Sequence, residues 1–171
     1  VINSAAYDRE GRRTDISLEA ISDVLAVNDG SFVWLGLYEP DEDILEQVQE
    51  EFDLHDLAVE DAHKAHQRPK VEQYKDYIYI VVRLVKDAEK YDSEQISIFL
   101  GRNFVLSFQE QAGKYFDPVI DRIRAGTGRM RTAGTDHLTY ALIDAVIDCH
   151  FPILERFGET VQSMEDSIVA Q

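Results

Sequence analysis

Gln95-Ile-Ser-Ile-Phe-Leu-Gly-Arg-Asn-Phe-Val-Leu-Ser-Phe-Gln109 is the stretch on which the fold reading turns. Gln95–Leu100 and Phe104–Gln109 are rich in β-branched and aromatic residues, and they flank Gly101-Arg102-Asn103. That pattern predicts a β-hairpin. Upstream, Tyr74–Val85 has the same composition and predicts another strand, set off by Pro69. The polar stretch Lys86–Glu94 between them reads as an exposed turn. Ser31–Leu37 predicts a buried strand and Val1–Tyr7 a short one.

Helical patterns separate these strands. Asp15 and Ser17 are both possible N-caps for a helix through about Val27, closed by Asn28-Asp29-Gly30. Pro40 and Asp41 open a second, with Ile44, Leu45, Val48 and Phe52 as its apolar stripe. A third runs from about His55 to His63. Phe116–Ala125 predicts a helix with Pro118 in its first turn, and Gly126–Gly134 a loop carrying Arg129 and Arg131. From Thr135 to Gln171 the pattern is helical throughout, with Pro152 expected to kink the helix rather than end it. No stop signal follows, which predicts that the chain is a piece of a longer protein.

With 171 residues, 44% of them hydrophobic, there is enough apolar material for a core, and one domain with at most an appendage is expected. The net charge of −16 disfavours nucleic acid, whose phosphates need Lys and Arg, and anionic membrane surfaces for the same reason. Cations or a basic protein surface are the natural complements. The single Cys149 excludes an internal disulfide and fits a reducing compartment. No signal peptide is visible, and the longest apolar run, Tyr77–Val82, is far short of the ~20 residues of a membrane helix, so the segment reads as soluble.

The acids are concentrated. Glu39–Asp61 holds eleven of them and no Lys or Arg. Most such runs are solvated helix faces; the alternative is a patch that needs metal ions or a cationic partner. Asp56, Glu60 and His63 share a helical face, a spacing a transition metal could use. The string is not a His-Glu-x-x-His motif, and no thiolate cluster exists for structural zinc. Oxygen ligands predominate, so a hard ion such as Mg²⁺ is the better match. Gly126-Thr127-Gly128-Arg129 follows a helix and lacks the ending of a phosphate loop. Cys149 lies on an apolar helix face, as a packed thiol would. Nothing here makes a good enzyme.

Several blocks taken together resemble one family. Val59-Glu60-Asp61, His66-Gln67-Arg68-Pro69-Lys70-Val71-Glu72, the strand Tyr77–Val82, Phe99–Glu110, Phe116-Asp117-Pro118, Arg122-Ile123-Arg124 and Tyr140–Asp148 are similar, in order and spacing, to the CorA family of magnesium and cobalt channels. The resemblance implies the cytoplasmic domain: an α/β (α+β) fold, an αβα sandwich with a central mixed sheet, in the funnel of a homopentamer. It divides the chain into an αβα body, 1–134, and a long helix, 135–171, leading toward a stalk and two membrane helices outside this sequence. The family's Gly-Met-Asn pore signature is absent from these residues, so they would be a regulatory part, at the cytoplasmic side of the cell inner membrane. In that family divalent ions bound between subunits hold the pore closed. By position, Asp61 would be the main carboxylate of a first ion site, and Glu60 and Asp144 would contribute to a second. Asp148 and Asp56 lie nearby without an assignment. The implied ion is Mg²⁺, with Co²⁺ beside it. Zn²⁺, suggested by His55, His63 and His66, is the alternative within the same architecture, and an acidic scaffold for a basic partner is the alternative outside it.

Overall fold

In the computed structural model, residues 3–8, 10–11, 13–26, 30–87, 92–126 and 129–169 are described. Among the described residues a single sheet of seven strands carries the fold, in the order β2-β1-β3-β7-β6-β5-β4. The strands are β1 (Asn3–Tyr7), β2 (Arg13–Asp15), β3 (Phe32–Tyr38), β4 (Lys70–Gln73), β5 (Tyr77–Asp87), β6 (Asp92–Gly101) and β7 (Phe104–Gln109). Only β3 and β7 pair in parallel; every other neighbouring pair is antiparallel. The predicted hairpin is β6–β7, with Leu100 opposite Val105 and Ile96 opposite Gln109.

Alternation along β3 sorts the interior into two cores, because successive side chains of a strand point to opposite faces. Val33, Leu35 and Leu37 join one core with α2 (Glu42–Glu51) and α3 (Asp56–Lys64). Phe32 and Trp34 join the other with α4 (Asp117–Ala125) and α5 (Thr135–Asp148). A short 3₁₀ turn at Leu18–Ala20 and α1 (Ile21–Ala26) complete the first layer. Being covered on both sides, β3 and β7 are apolar almost without interruption. The mixed αβα architecture expected of the chain is therefore present.

Three features depart from the sequence reading. The edge strands β2 and β4 were not foreseen; both are short and half exposed, so pairing rather than composition makes them strands. The polar stretch 86–94 is largely sheet, since β5 runs on to Asp87 and β6 starts at Asp92. The helix from Thr135 is broken: α5 closes at Cys149, and α6 (Phe151–Val169) begins two residues on. Pro152 sits in the first turn of α6 and has no N–H for the carbonyl of Asp148. His150 Nε2 accepts the Val85 amide at 3.3 Å, which pins the break to the end of β5. Parts of other expectations lie outside the described residues: Val1–Ile2, Val27–Asp29, residues 88–91, Thr127-Gly128 and the final two residues.

Gly101 is required at the hairpin for space. A Cβ there would lie 2.3 Å from the ring of Phe104, which is buried and packs on Phe52 at a centroid distance of 4.8 Å. Gly101→Ala is expected to cost roughly 1–3 kcal/mol as the ring is displaced; an unchanged urea midpoint would contradict this.

Candidate metal centre

Asp61 occupies the last turn of α3. That helix starts at His55, whose Nδ1 accepts the Leu57 amide at 3.2 Å, and stops at Ala65 in the left-handed conformation. The turn that follows brings Gln67 and then β4 back beside Asp61. Gln67 Nε2 donates to Asp61 Oδ1 at 2.8 Å and Lys70 Nζ to Oδ2 at 2.7 Å. Lys70 also donates to Glu72 Oε1 at 2.8 Å. Beneath them the buried Gln95 donates through Nε2 to the Asp61 carbonyl at 2.9 Å and to Ser97 Oγ at 2.9 Å, and its Oε1 accepts the Gln67 amide at 2.8 Å. Asp61 is thus fixed at its backbone and at both side-chain oxygens.

The Lys70 ammonium loses some hydration here, which works against its charge. Its hydrogen bonds to Asp61 and Glu72 outweigh that and hold its pKa above the usual lysine value. The ammonium also lies 5.5 Å from the centroid of the Tyr79 ring.

The other predicted acids stand elsewhere. Glu60 points outward and pairs with Lys64 one turn on. Asp144 is on α5, half-buried, at a cavity of about 390 Å³ that Lys114, Tyr115, Arg122, Asp148 and Cys149 also line. Because α3 packs into one core and α5 into the other, Asp61 and Asp144 lie on opposite sides of the sheet. Among the described residues no three His, Cys, Asp or Glu side chains are gathered to hold a metal. The helical face of Asp56, Glu60 and His63 therefore makes no centre by itself: Asp56 accepts from Gln49 Nε2 at 2.6 Å, Glu60 is taken by Lys64, and His63 is exposed.

A carboxylate offers about four lone-pair directions, and Asp61 has used one on each oxygen. Its side chain is 27% exposed. These properties suit Mg²⁺, which keeps most of its waters and touches one or two carboxylates. Sequence alone gives Lys70, Gln67 and Gln95 no role at the site: Gln67 and Lys70 stand in the 66–72 block that resembles the family, and Lys64, Arg68 and Lys70 are the first cations after eleven acids.

The sequence model of the CorA-like Mg²⁺ transporter proteins matches residues 29–171. The chain belongs to the CorA-like Mg²⁺ transporter family. The CorA cobalt/magnesium transport protein of Thermotoga maritima is 37% identical over 168 residues, covering 94% of this chain and 46% of that protein. The chain thus spans about half the length of the curated CorA relatives it matches. The soluble domain of CorA from Methanocaldococcus jannaschii superposes with a TM-score of 0.68 over 99% of this chain and 66% of that one, at 18% identity. The ZntB cytoplasmic domain from Vibrio parahaemolyticus has a TM-score of 0.68 over 93% of this chain and 63% of that one, at 13% identity. At those identities the two structures establish the fold. The CorA resemblance read from the blocks 59–61, 66–72, 99–110 and 140–148 holds, and the CorA relatives are transport proteins rather than enzymes. None of the described helices is long and apolar enough to cross a membrane.

Proposed function

We propose that this chain is the cytoplasmic, divalent-cation-sensing regulatory domain of a CorA-like Mg²⁺/Co²⁺ channel. In this reading the full-length protein is a homopentamer of the cell inner membrane. Residues 1–134 form the sensing body, and 135–171 lead toward the stalk and membrane helices. Ions bound between subunits, at Asp61 and at Glu60 with Asp144, stabilise the closed state.

The observation that carries the reading is the separation of Asp61 and Asp144 by the sheet. Among the described residues of one chain neither acid belongs to a group of three His, Cys, Asp or Glu side chains that could hold an ion, whereas two adjoining subunits can bring opposite faces together. Two carboxylates ~5 Å apart at such a junction repel by at most roughly 3 kcal/mol at an effective dielectric near 20, less where Lys64 and Lys70 offset the charges of Glu60 and Asp61. A divalent ion removes that repulsion. Repeated around a ring, a few kcal/mol per junction reaches the ~5.5 kcal/mol that moves a two-state equilibrium almost completely. The zinc alternative draws less support, since His55 Nδ1 caps α3, and His63 and His66 are exposed without a gathered ligand set among the described residues.

The test is limited chymotrypsin digestion of the full-length protein across a Mg²⁺ titration. Protection at millimolar Mg²⁺ is expected, with the midpoint raised roughly tenfold or more in the Asp61→Ala/Asp144→Ala variant, which corresponds to about 1.4 kcal/mol. Equal cleavage with and without Mg²⁺ would overturn the reading.

A further inference from the structure

We propose that Lys70 is a tethered cation that competes with the divalent ion for Asp61 and so sets the concentration at which the domain responds. The inference rests on the sensing role proposed for Asp61 and adds a residue to it. Three observations carry it. Lys70 Nζ lies 2.7 Å from Asp61 Oδ2, so the acid is already neutralised by a group of its own chain. The ammonium has a second acceptor, Glu72 Oε1 at 2.8 Å, two residues along the same strand and therefore on the same face. Its side chain is only 24% exposed, and the register of β4 on β5, with Lys70 opposite Val81 and Glu72 opposite Tyr79, keeps both partners in place.

An ion approaching Asp61 meets this ammonium on one oxygen and the Gln67 amide on the other. To take full possession of the carboxylate it must displace Lys70 from Oδ2. Glu72 makes that exchange inexpensive, because Lys70 keeps one charged hydrogen bond and its place beside the Tyr79 ring. Binding is therefore weakened without becoming disruptive, which is what a sensor of a plentiful ion requires.

The full-length protein tests this by the Mg²⁺ midpoint for protection from chymotrypsin, whose cleavage sites the variants leave intact. Lys70→Gln is expected to lower the midpoint about tenfold, or about 1.4 kcal/mol, and Lys70→Arg to leave it near wild type. Lys70→Gln/Glu72→Gln removes one charge of each sign, so local net charge is kept while Asp61 is released. A midpoint still below wild type supports competition at Asp61; one equal to wild type overturns it. Thermal unfolding in EDTA confirms that each variant is folded, and Lys70→Ile, which keeps an apolar side chain against Tyr79 and adds no chymotrypsin site, carries the test should the Gln variant not fold. If Lys70→Gln leaves the midpoint unmoved while Asp61→Ala abolishes protection, the Lys70 role fails and the sensing role stands. If Asp61→Ala changes nothing, both fail.

Discussion

Trp34→Ala is expected to lower the unfolding free energy by about 3–5 kcal/mol. Trp34 stands on β3 in the middle of the sheet with 0% of its surface exposed. Its ring packs in a T-shaped contact with Phe116, the residue just before α4, at a centroid distance of 6.5 Å, so truncation opens a cavity between sheet and helix. Its Nε1 also donates to Ser107 Oγ at 3.1 Å, and Ser107 is itself wholly buried. Removing the indole therefore costs packing and leaves a hydroxyl without that donor. For a domain of this size each kcal/mol corresponds to roughly 2–4 °C, so a fall in Tm of about 10 °C is expected. Circular dichroism is the suitable probe, because Trp34 is the only tryptophan. A Tm within about 3 °C of wild type would show that the site collapses without penalty. Trp34→Phe retains most of the volume and isolates the hydrogen bond.

Lys86→Met is expected to be nearly as damaging, for an electrostatic reason. Glu94 on β6 is 1% exposed, and Lys86 Nζ from β5 lies 2.8 Å from its Oε2. The Gln111 amide donates to Glu94 Oε1 at 2.9 Å. Without Lys86 that neutral donor remains but the counter-charge is gone. Breaking one side of a buried pair in this way costs about 3–5 kcal/mol. The double variant Lys86→Met/Glu94→Leu removes both charges and should recover most of the loss; if it is no more stable than Lys86→Met, the damage is steric. Burial disfavours the Lys86 charge, yet the bond to Glu94 outweighs this and raises its pKa above the ordinary 10.5. A raised lysine stabilises fully below its unfolded pKa and loses its contribution as pH climbs through the higher folded value. Wild type should accordingly lose stability above about pH 10.5 more steeply than the double variant.

The legible parts of the fold were those whose side chains carry a strong period. The 95–109 hairpin, the buried strand at β3 and the stripes Ile44, Leu45, Val48 and Phe52 show in the sequence because burial on one or both faces demands those residues. The strands β2 and β4 carry no such demand. Each lies at an edge of the sheet, and Lys70-Val71-Glu72-Gln73 is a strand only because β5 offers it hydrogen bonds. The break between α5 and α6 was half legible: Pro152 announced it, but whether a proline bends or ends a helix depends on what holds the flanking turn. Here the bond from the Val85 amide to His150 decides it.

The same division holds for the site. Glu60, Asp61 and Asp144 are candidates that the resemblance to the CorA blocks implies, and composition and spacing alone do not single them out. Their one-dimensional positions do not say which face of the sheet a helix covers. Two amphipathic helices with similar stripes pack equally well on either side, and only the connections and the parallel β3–β7 pairing assign α3 to one layer and α5 to the other. Nor could the sequence single out Lys70 among the cations that follow the acidic run. Lys64, three residues beyond Asp61, turns to Glu60, whereas Lys70, nine residues beyond, reaches Asp61 because β4 folds back on α3. Composition and periodicity determined that the chain makes a sheet covered by helices and is rich in acids that favour a cation. Which acid meets which cation was decided by tertiary structure alone, because charges act through space and the turn after α3 sets the distance between them.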